Sequence, residues 1–167
     1  NGGPVETMLI MKEIGRGLVL EPFLENIILA GGILKRLANQ HQKDEWLNKI
    51  INGEMQSTLA FTEPQSRFQL NDVATTANKK EGNFILNGKK SFVLNGSESD
   101  LIIVPARTSG SQTDVKGITL FAVKKDSAGI EMNSYKSVDG RSAAEIKLNN
   151  VSVSSDSIIG EIDNGYD

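Results

Sequence analysis

The chain changes its pattern of hydrophobic and polar positions near residue 56. Over residues 5 to about 56, apolar residues recur at three- and four-residue steps, which predicts amphipathic helices. From Ser57 onward, runs rich in Val, Ile and Thr alternate with turn residues, which predicts short strands. We therefore expect an α+β fold in which residues 1–56, part of a helical domain, pack on a small antiparallel β-barrel or sandwich formed by residues 57–167.

The helical part divides into three predicted helices. The first ends near Val19, the second has Pro22 in its first turn, and the third covers about residues 43–51, with Asn52-Gly53 as its stop. The pair Gly31-Gly32 lies within the second helix and costs it about 1–2 kcal/mol relative to alanine. Close packing of a neighbouring helix, or a ligand or partner nearby, would explain this pair, but a break in the helix is favoured.

The β part contains seven strand-like runs and several turn signals. The runs cover residues 58–61, 73–77, 83–86, 91–94, 101–104, 118–123 and 144–153. Asn87-Gly88 lies between two of these runs and predicts a tight hairpin there. Further Gly-containing pairs at residues 95–96, 109–110, 128–129 and 139–140 predict additional turns.

Composition narrows the possible functions. Hydrophobic residues make up 38% of the 167 residues, enough for a packed core, and the formal net charge of −3 argues against nucleic acid as a partner. The absence of cysteine excludes disulfides, thiolate zinc sites and cysteine nucleophiles. The longest apolar run, residues 27–34, is too short to span a bilayer, and no leader opens the chain. We expect a cytoplasmic protein that does not bind membranes.

Residue chemistry alone does not identify a catalytic site. His41 stands in a polar stretch and is interpreted as a solvated surface residue, and no cluster has metal-ligand spacing. Phosphate-binding glycine loops and nucleophile elbows are absent from the sequence, and the carboxylates are scattered. On this basis the chain would be a β-rich binding module, or, because it ends without a closing element, a segment of a larger protein.

An ordered series of motifs changes this interpretation. The segment Leu59-Ala-Phe-Thr-Glu-Pro64 is followed by Asn87-Gly-Lys-Lys-Ser-Phe-Val-Leu-Asn-Gly96, then by Ser99-Asp100 before a Leu-Ile-Ile-Val strand, and by Gly140-Arg141 before a strand ending at residue 153. In spacing and order this series resembles the acyl-CoA dehydrogenase family over nearly the whole chain. The resemblance implies the end of the family's N-terminal helical domain and its middle β domain. Residues 65–73 are similar to the branch related to the small subunit of pimeloyl-CoA dehydrogenase.

The resemblance also implies a cofactor site. In the family, the β domain holds one face of the FAD isoalloxazine ring, which needs an apolar wall and a few hydrogen-bond donors. By position, the residues expected to flank the flavin are Leu59, Phe61, Thr62, Phe92, Val93 and Leu94. The alternative is that Phe61 and Phe92 are ordinary core aromatics and that Thr62 merely ends a strand.

Two departures from the family pattern leave the function open. Arg67 and Phe68 replace a small turn next to the cofactor, so that Arg67 either meets a phosphate or substrate carboxylate or lies in solvent. We assign both residues to the substrate site. Leu94 stands where the family usually has threonine. These departures favour, as an alternative, a non-catalytic partner subunit with a degenerate flavin site.

The resemblance implies a reaction and its partners. Family members convert acyl-CoA thioesters to trans-2,3-enoyl-CoA, form homo- or hetero-oligomers, and pass electrons to an acceptor flavoprotein. Their catalytic base is a glutamate from a C-terminal helical bundle that this chain lacks, so we assign no catalytic residue and expect the chain alone to be inactive. Glu63 is expected to brace its turn rather than to act as the base.

Overall fold

The computed structural model describes residues 3–166, in which a helical region precedes a mixed sheet. The first helix spans Pro4–Gly17. The second begins as a π-helix over Phe23–Ala30 and continues as an α-helix over Gly31–Leu37. The third is a continuous helical stretch made of Gln40–Gln42, Lys43–Leu47 and Asn48–Ile51.

Local sequence explains where these helices begin and end. Asn39 caps the third helix, since its side chain accepts a 2.9 Å hydrogen bond from the Gln42 backbone N–H and the Gln42 side chain accepts one from Asn39 N–H. Gly53, with φ of 73°, follows its end as the sequence predicts. The predicted break at Gly31-Gly32 is wrong. The helix continues, and the Gly31 N–H donates to the Asn26 carbonyl as the π-helix gives way to the α-helix.

Eight strands follow. They are β1 Ser57–Leu59, β2 Thr76–Lys80, β3 Asn83–Leu94, β4 Leu101–Arg107, β5 Ile118–Lys124, β6 Ile130–Lys136, β7 Ser142–Ser154 and β8 Ile158–Ile159. Their order in the sheet is β6-β7-β3-β2-β4-β5-β8, and β1 pairs in parallel with β4.

The α+β class is confirmed, but the barrel is wrong. Within residues 3–166 no pairing joins the edge strands β6 and β8, so the sheet stays open. The arrangement is mostly antiparallel, with parallel pairing where β4 meets β1 and β2. One physical reason is that the helices cover the outer face near β4, β5 and β8, so that this end of the sheet buries its apolar surface without closing on itself.

The predicted hairpin at Asn87-Gly88 is also wrong. Strand β3 runs through both residues, and the hairpin between β2 and β3 turns instead at Glu81-Gly82, whose φ values are 51° and 86°. Gly88 serves a different purpose, because a Cβ there would lie 2.4 Å from Thr75 Oγ1. Glycine at this position allows two backbone segments to approach closely.

Two hydrophobic cores share strand β4. Ile102, Val104 and Ala106 face an inner core between parts of the folded sheet. Leu101 and Ile103 face an outer core completed by the second and third helices, including Trp46. Every residue of β4 is buried, as expected for a strand covered on both faces.

The helices of the described part of the chain do not include one long and apolar enough to cross a membrane.

Candidate functional site

Backbone hydrogen bonds bring the two segments predicted to flank a flavin side by side. The Thr62 carbonyl accepts a 2.9 Å bond from Ser91 N–H, just after β1 and within β3. The Thr58 hydroxyl donates a 2.7 Å bond to the Leu94 carbonyl. Residues 58–62 and 91–94 therefore form one continuous surface, although about 30 residues separate them in the chain.

A β-bulge shapes this surface. Lys90 pairs with Ile146 and Val93 pairs with Ala144, so that Ser91 and Phe92 together oppose the single residue Glu145. The extra residue bends the strand and turns the Phe92 side chain outward, where half of it is exposed.

The predicted cofactor residues differ in what they present to a ligand. Phe61 is 41% exposed and Phe92 is 50% exposed, while Leu59, Thr62 and Leu94 are half-buried. The Thr62 hydroxyl makes no hydrogen bond to the part of the chain described here, so it is available to a ligand. Val93 is 2% exposed and belongs to the inner core. Any contact from Val93 would therefore come from its backbone.

An apolar groove of about 470 Å³ adjoins this surface. It lies between the second helix and the outer face of the sheet. Leu59 and Phe61 line one side of it, and Ile28, Leu29 and Gly32 line the helical side. A concave apolar site with few polar groups suits a small apolar ligand or an acyl chain.

A buried ion pair supports the turn that carries Thr62. Lys90 Nζ lies 2.7 Å from Glu63 Oε1 and donates a 2.7 Å bond to the Pro105 carbonyl, and both charged side chains are almost fully buried. The Glu63 carboxylate also accepts from the N–H groups of Ala74 and Thr75. These hydrogen bonds to the Glu63 carboxylate thus hold the loop of residues 64–73 in place.

The charge state of Glu63 follows from these contacts. Burial on its own raises the pKa of the Glu63 carboxyl, but the charge of Lys90 and the hydrogen bonds from Lys90, Gln65 and Thr75 outweigh it and hold the pKa below its ordinary value. A carboxylate with a lowered pKa, already occupied by these donors, is poorly suited to remove a substrate proton. The geometry agrees with a bracing role for Glu63.

The two predicted substrate residues lie on an exposed loop. Arg67 has a left-handed backbone with φ of 50° and makes no hydrogen bond or ion pair to residues 3–166, and Phe68 is 99% exposed. The Arg107 guanidinium anchors this loop, because it donates hydrogen bonds to the backbone carbonyls of Asn71 and Gln112. Sequence reasoning did not single out Arg107, and the signal that points to it is an arginine ending an otherwise apolar strand.

Sequence reasoning also missed Glu145 and the groove residues of the second helix. Glu145 accepts the Phe92 N–H at 3.0 Å, a contact that depends on the pairing register of two distant strands. The sequence signal for the groove is the pair Gly31-Gly32, of which Gly32 lines it, although the sequence pattern favours a break in the helix at this pair. No group of three or more potential metal ligands comes together in residues 3–166.

The chain thus folds as an open α+β sheet with helices on one face and an apolar groove beside the partly exposed ring of Phe61. A family model described as "Acyl-CoA dehydrogenase, middle domain" matches residues 58–151, more than half of the chain. The chain therefore belongs to the acyl-CoA dehydrogenase family, as the ordered motifs predicted.

Similar proteins match most of this chain. Isovaleryl-CoA dehydrogenase, mitochondrial, from Pongo abelii is 32% identical over 98% of this chain and 40% of its own length. The caffeyl-CoA reductase-Etf complex subunit CarC from Acetobacterium woodii is 30% identical over 83% of this chain and 37% of its own length. The crystal structure of acyl-CoA dehydrogenase from Geobacillus kaustophilus is 29% identical, with a TM-score of 0.77 and coverage of 82% of this chain and 37% of that chain. This chain thus spans about two fifths of their length.

Proposed function

We propose that this chain forms one wall of the FAD and acyl-CoA site of an acyl-CoA dehydrogenase, which converts an acyl-CoA thioester to its trans-2,3-enoyl-CoA. The observation that carries the proposal is the contact between residues 58–62 and 91–94 beside an apolar groove. Membership in the family supports the reaction class.

The residues on this surface fit an isoalloxazine ring. Phe61 and Phe92 offer partly exposed aromatic faces, and Leu59 and Leu94 add apolar area around them. Thr62 adds a hydroxyl that is free to donate to a polar ring edge. Flat apolar contact with a few directed donors is the combination that a flavin requires.

In the proposed reaction this chain binds and orients, and it does not remove the substrate proton. The groove between Leu59 and the second helix would hold the acyl chain and exclude water from it. Bound FAD would supply the two-electron oxidant for the dehydrogenation. Because the Glu63 carboxylate is paired with Lys90 in a buried ion pair, the base that takes the α-proton must come from another segment or another chain.

Partners of the intact enzyme belong to the same proposal. A relative is named as a subunit of a complex containing Etf, which supports an electron-acceptor flavoprotein and a homo- or hetero-oligomeric assembly for this protein as well. That relative is also named as a reductase. The proposed site would therefore serve the same reaction in the oxidising or in the reducing direction.

The alternative is a partner subunit of the same fold that lacks turnover. Arg67 and the fully exposed Phe68 stand where a small turn is expected, and Leu94 brings no hydroxyl to the proposed flavin edge. A chain of this kind would support a catalytic relative without carrying a complete site.

Titration with FAD and then with acyl-CoA distinguishes the two functions. In the full-length protein, we expect one FAD per active site and bleaching of the flavin by a suitable acyl-CoA. Replacing Phe92 with serine removes partly buried apolar area and should raise the FAD Kd about five- to tenfold. The matched control is Val138→Ser, a fully exposed turn residue. FAD binding without bleaching, or weak or absent FAD binding, supports the partner subunit with a degenerate flavin site and refutes the catalytic function.

A further inference from the structure

The bulge in β3 leaves two backbone N–H groups without partners in the strand ladder. The Ser91 N–H is taken by the Thr62 carbonyl, and the Phe92 N–H is taken by the Glu145 carboxylate at 3.0 Å. Glu145 is also the residue of β7 that lies opposite the bulge. A side chain of the facing strand therefore replaces the missing ladder bond.

The same contact restrains an unfavourable conformation. Phe92 has φ of 50°, in the left-handed region that bulky residues avoid. The Glu145 side-chain oxygen that accepts its N–H stabilises this conformation. In the extended conformation the bulge would be lost, and Phe92 would no longer turn outward beside residues 58–62.

Glu145 is held in place and charged. The Tyr135 hydroxyl donates a 3.0 Å bond to the same oxygen, Oε1, from the neighbouring strand β6. Slight burial raises the pKa of Glu145, but the hydrogen bonds from the Phe92 backbone, the Ser91 side chain and Tyr135 outweigh it and keep the pKa below its ordinary value. The carboxylate is thus an anion at neutral pH.

We infer that Glu145 is a positioning residue, whose carboxylate fixes the Phe92 bulge and so orients the Phe92 ring against the flavin. The inference rests on the proposed function, since it takes the flavin as the group that Phe92 meets. It assigns to Glu145 no contact with substrate or cofactor.

The first measurement does not involve the cofactor. With ¹⁵N-phenylalanine labelling, only phenylalanine amides report, and Phe92→Leu assigns the signal of residue 92. In the full-length apoprotein, Glu145→Ala should accelerate hydrogen exchange of the Phe92 amide at least tenfold, because its acceptor is gone. Glu145→Gln keeps an acceptor oxygen and should stay close to the parent. Unchanged exchange in Glu145→Ala overturns the inference at its first step.

The second measurement is FAD affinity in the same variants. Glu145→Ala should raise the FAD Kd about three- to tenfold, and tenfold corresponds to about 1.4 kcal/mol. Glu145→Gln should restore the Kd to within about twofold, and Glu131→Ala, which removes an exposed carboxylate of β6, should leave it unchanged. A parent-like Kd in Glu145→Ala, or a Gln variant as weak as the Ala variant, overturns positioning while the proposed function stands. Failure of the parent to bind FAD overturns the proposed function, and the inference with it.

Discussion

At the scale of single residues, the ion pair between Glu63 and Lys90 is the feature with the largest expected effect on stability. Both side chains are buried, and the pair joins the Thr-Glu-Pro turn, the β3 strand and the Pro105 carbonyl. Because a charge left alone in a protein interior is costly, the pair constrains both positions together even if its net contribution is small.

Removal of one partner should therefore be severe. We expect Lys90→Met to lower the free energy of unfolding by about 3–5 kcal/mol, since Glu63 then remains buried without its cation. Urea denaturation measures the change. The control Lys147→Met breaks an exposed pair with Glu131 and should cost about 0–1 kcal/mol. Equal losses in the two variants would contradict the burial of the first pair.

The same pair predicts a response to acid. The pKa of Glu63 in the folded protein lies below its ordinary value of 4.5, so the unfolded chain binds this proton first as the pH falls. The stability that Glu63 contributes is fully present above about pH 4.5 and is lost as the pH falls through the lower folded-state pKa. Urea midpoints between pH 7 and pH 3 should fall less steeply in Glu63→Gln than in the parent. Parallel curves would show that Glu63 is not linked to the transition.

A substitution at Leu94 tests whether this residue contacts the flavin or only packs inside the protein. If it faces the reactive ring edge, Leu94→Thr adds a donor that stabilises the reduced flavin and should raise the potential by about 10–30 mV, the equivalent of one neutral hydrogen bond. If Leu94 only packs, the new hydroxyl stays unpaired and costs about 1–3 kcal/mol of stability. Potential and melting temperature should be measured together in the full-length holoprotein. An unchanged potential with a lower melting temperature would reject the proposed flavin position.

At the scale of elements, the second helix shows what a sequence pattern does and does not reveal. Its apolar period predicted the helix, but the effect of Gly31-Gly32 depends on space that only the fold defines. A Cβ on Gly31 would lie 3.1 Å from the Asn26 carbonyl oxygen, whereas one on Gly32 would meet nothing within 4 Å. The two glycines are thus inequivalent, although the sequence presents them as a pair.

This difference gives opposite expectations for two neighbouring substitutions. Gly32→Ala should stabilise the protein by about 1 kcal/mol, because alanine loses less backbone entropy in a helix. Gly31→Ala should give no such gain, because its methyl group crowds the Asn26 carbonyl. Thermal melts of the two variants measure this. Gly32 also lines the groove, so Gly32→Ala should weaken the binding of long acyl chains. An unchanged affinity for long acyl chains would show that the acyl chain binds elsewhere.

The strands show the same contrast between features that the local sequence predicts and features that depend on the fold. Alternation and β-branched residues located most strands, yet Asn87-Gly88 predicted a turn inside what is one long strand. Turn preference is a local property, whereas the demand for glycine at residue 88 comes from Thr75, which approaches it across the fold. The Glu81-Gly82 turn carries a weaker local signal and was missed. The Phe92 bulge was invisible for the same reason, since it depends on which residue of β7 lies opposite.

At the scale of the whole molecule, the sequence changes from a helical to a strand pattern near residue 56. That this position is also a domain boundary stays a prediction. Helices and sheet share the outer core, and Asn26 of the second helix accepts hydrogen bonds from the backbone and hydroxyl of Ser57 at the start of β1. These contacts favour folding of the helices and the sheet as a single cooperative unit.

The position of the one tryptophan makes cooperativity measurable. Trp46 belongs to the third helix and packs in the outer core, so its fluorescence should report on the helical side, while circular dichroism reports on the backbone as a whole. We expect the two signals to give the same denaturation midpoint. Separate midpoints would show that the helices unfold independently of the sheet.

The burial of β4 on both faces has a consequence for how this sequence can vary. Strand β6 alternates between covered and open positions and so can accept polar residues on one side. In β4 every position is buried, and residues 101–104 and 106 pack in one core or the other, so that a change of side-chain volume disturbs the packing on one face of the strand. Mutational drift in this protein should therefore be slowest along residues 101–107, even though none of them is assigned to the chemistry.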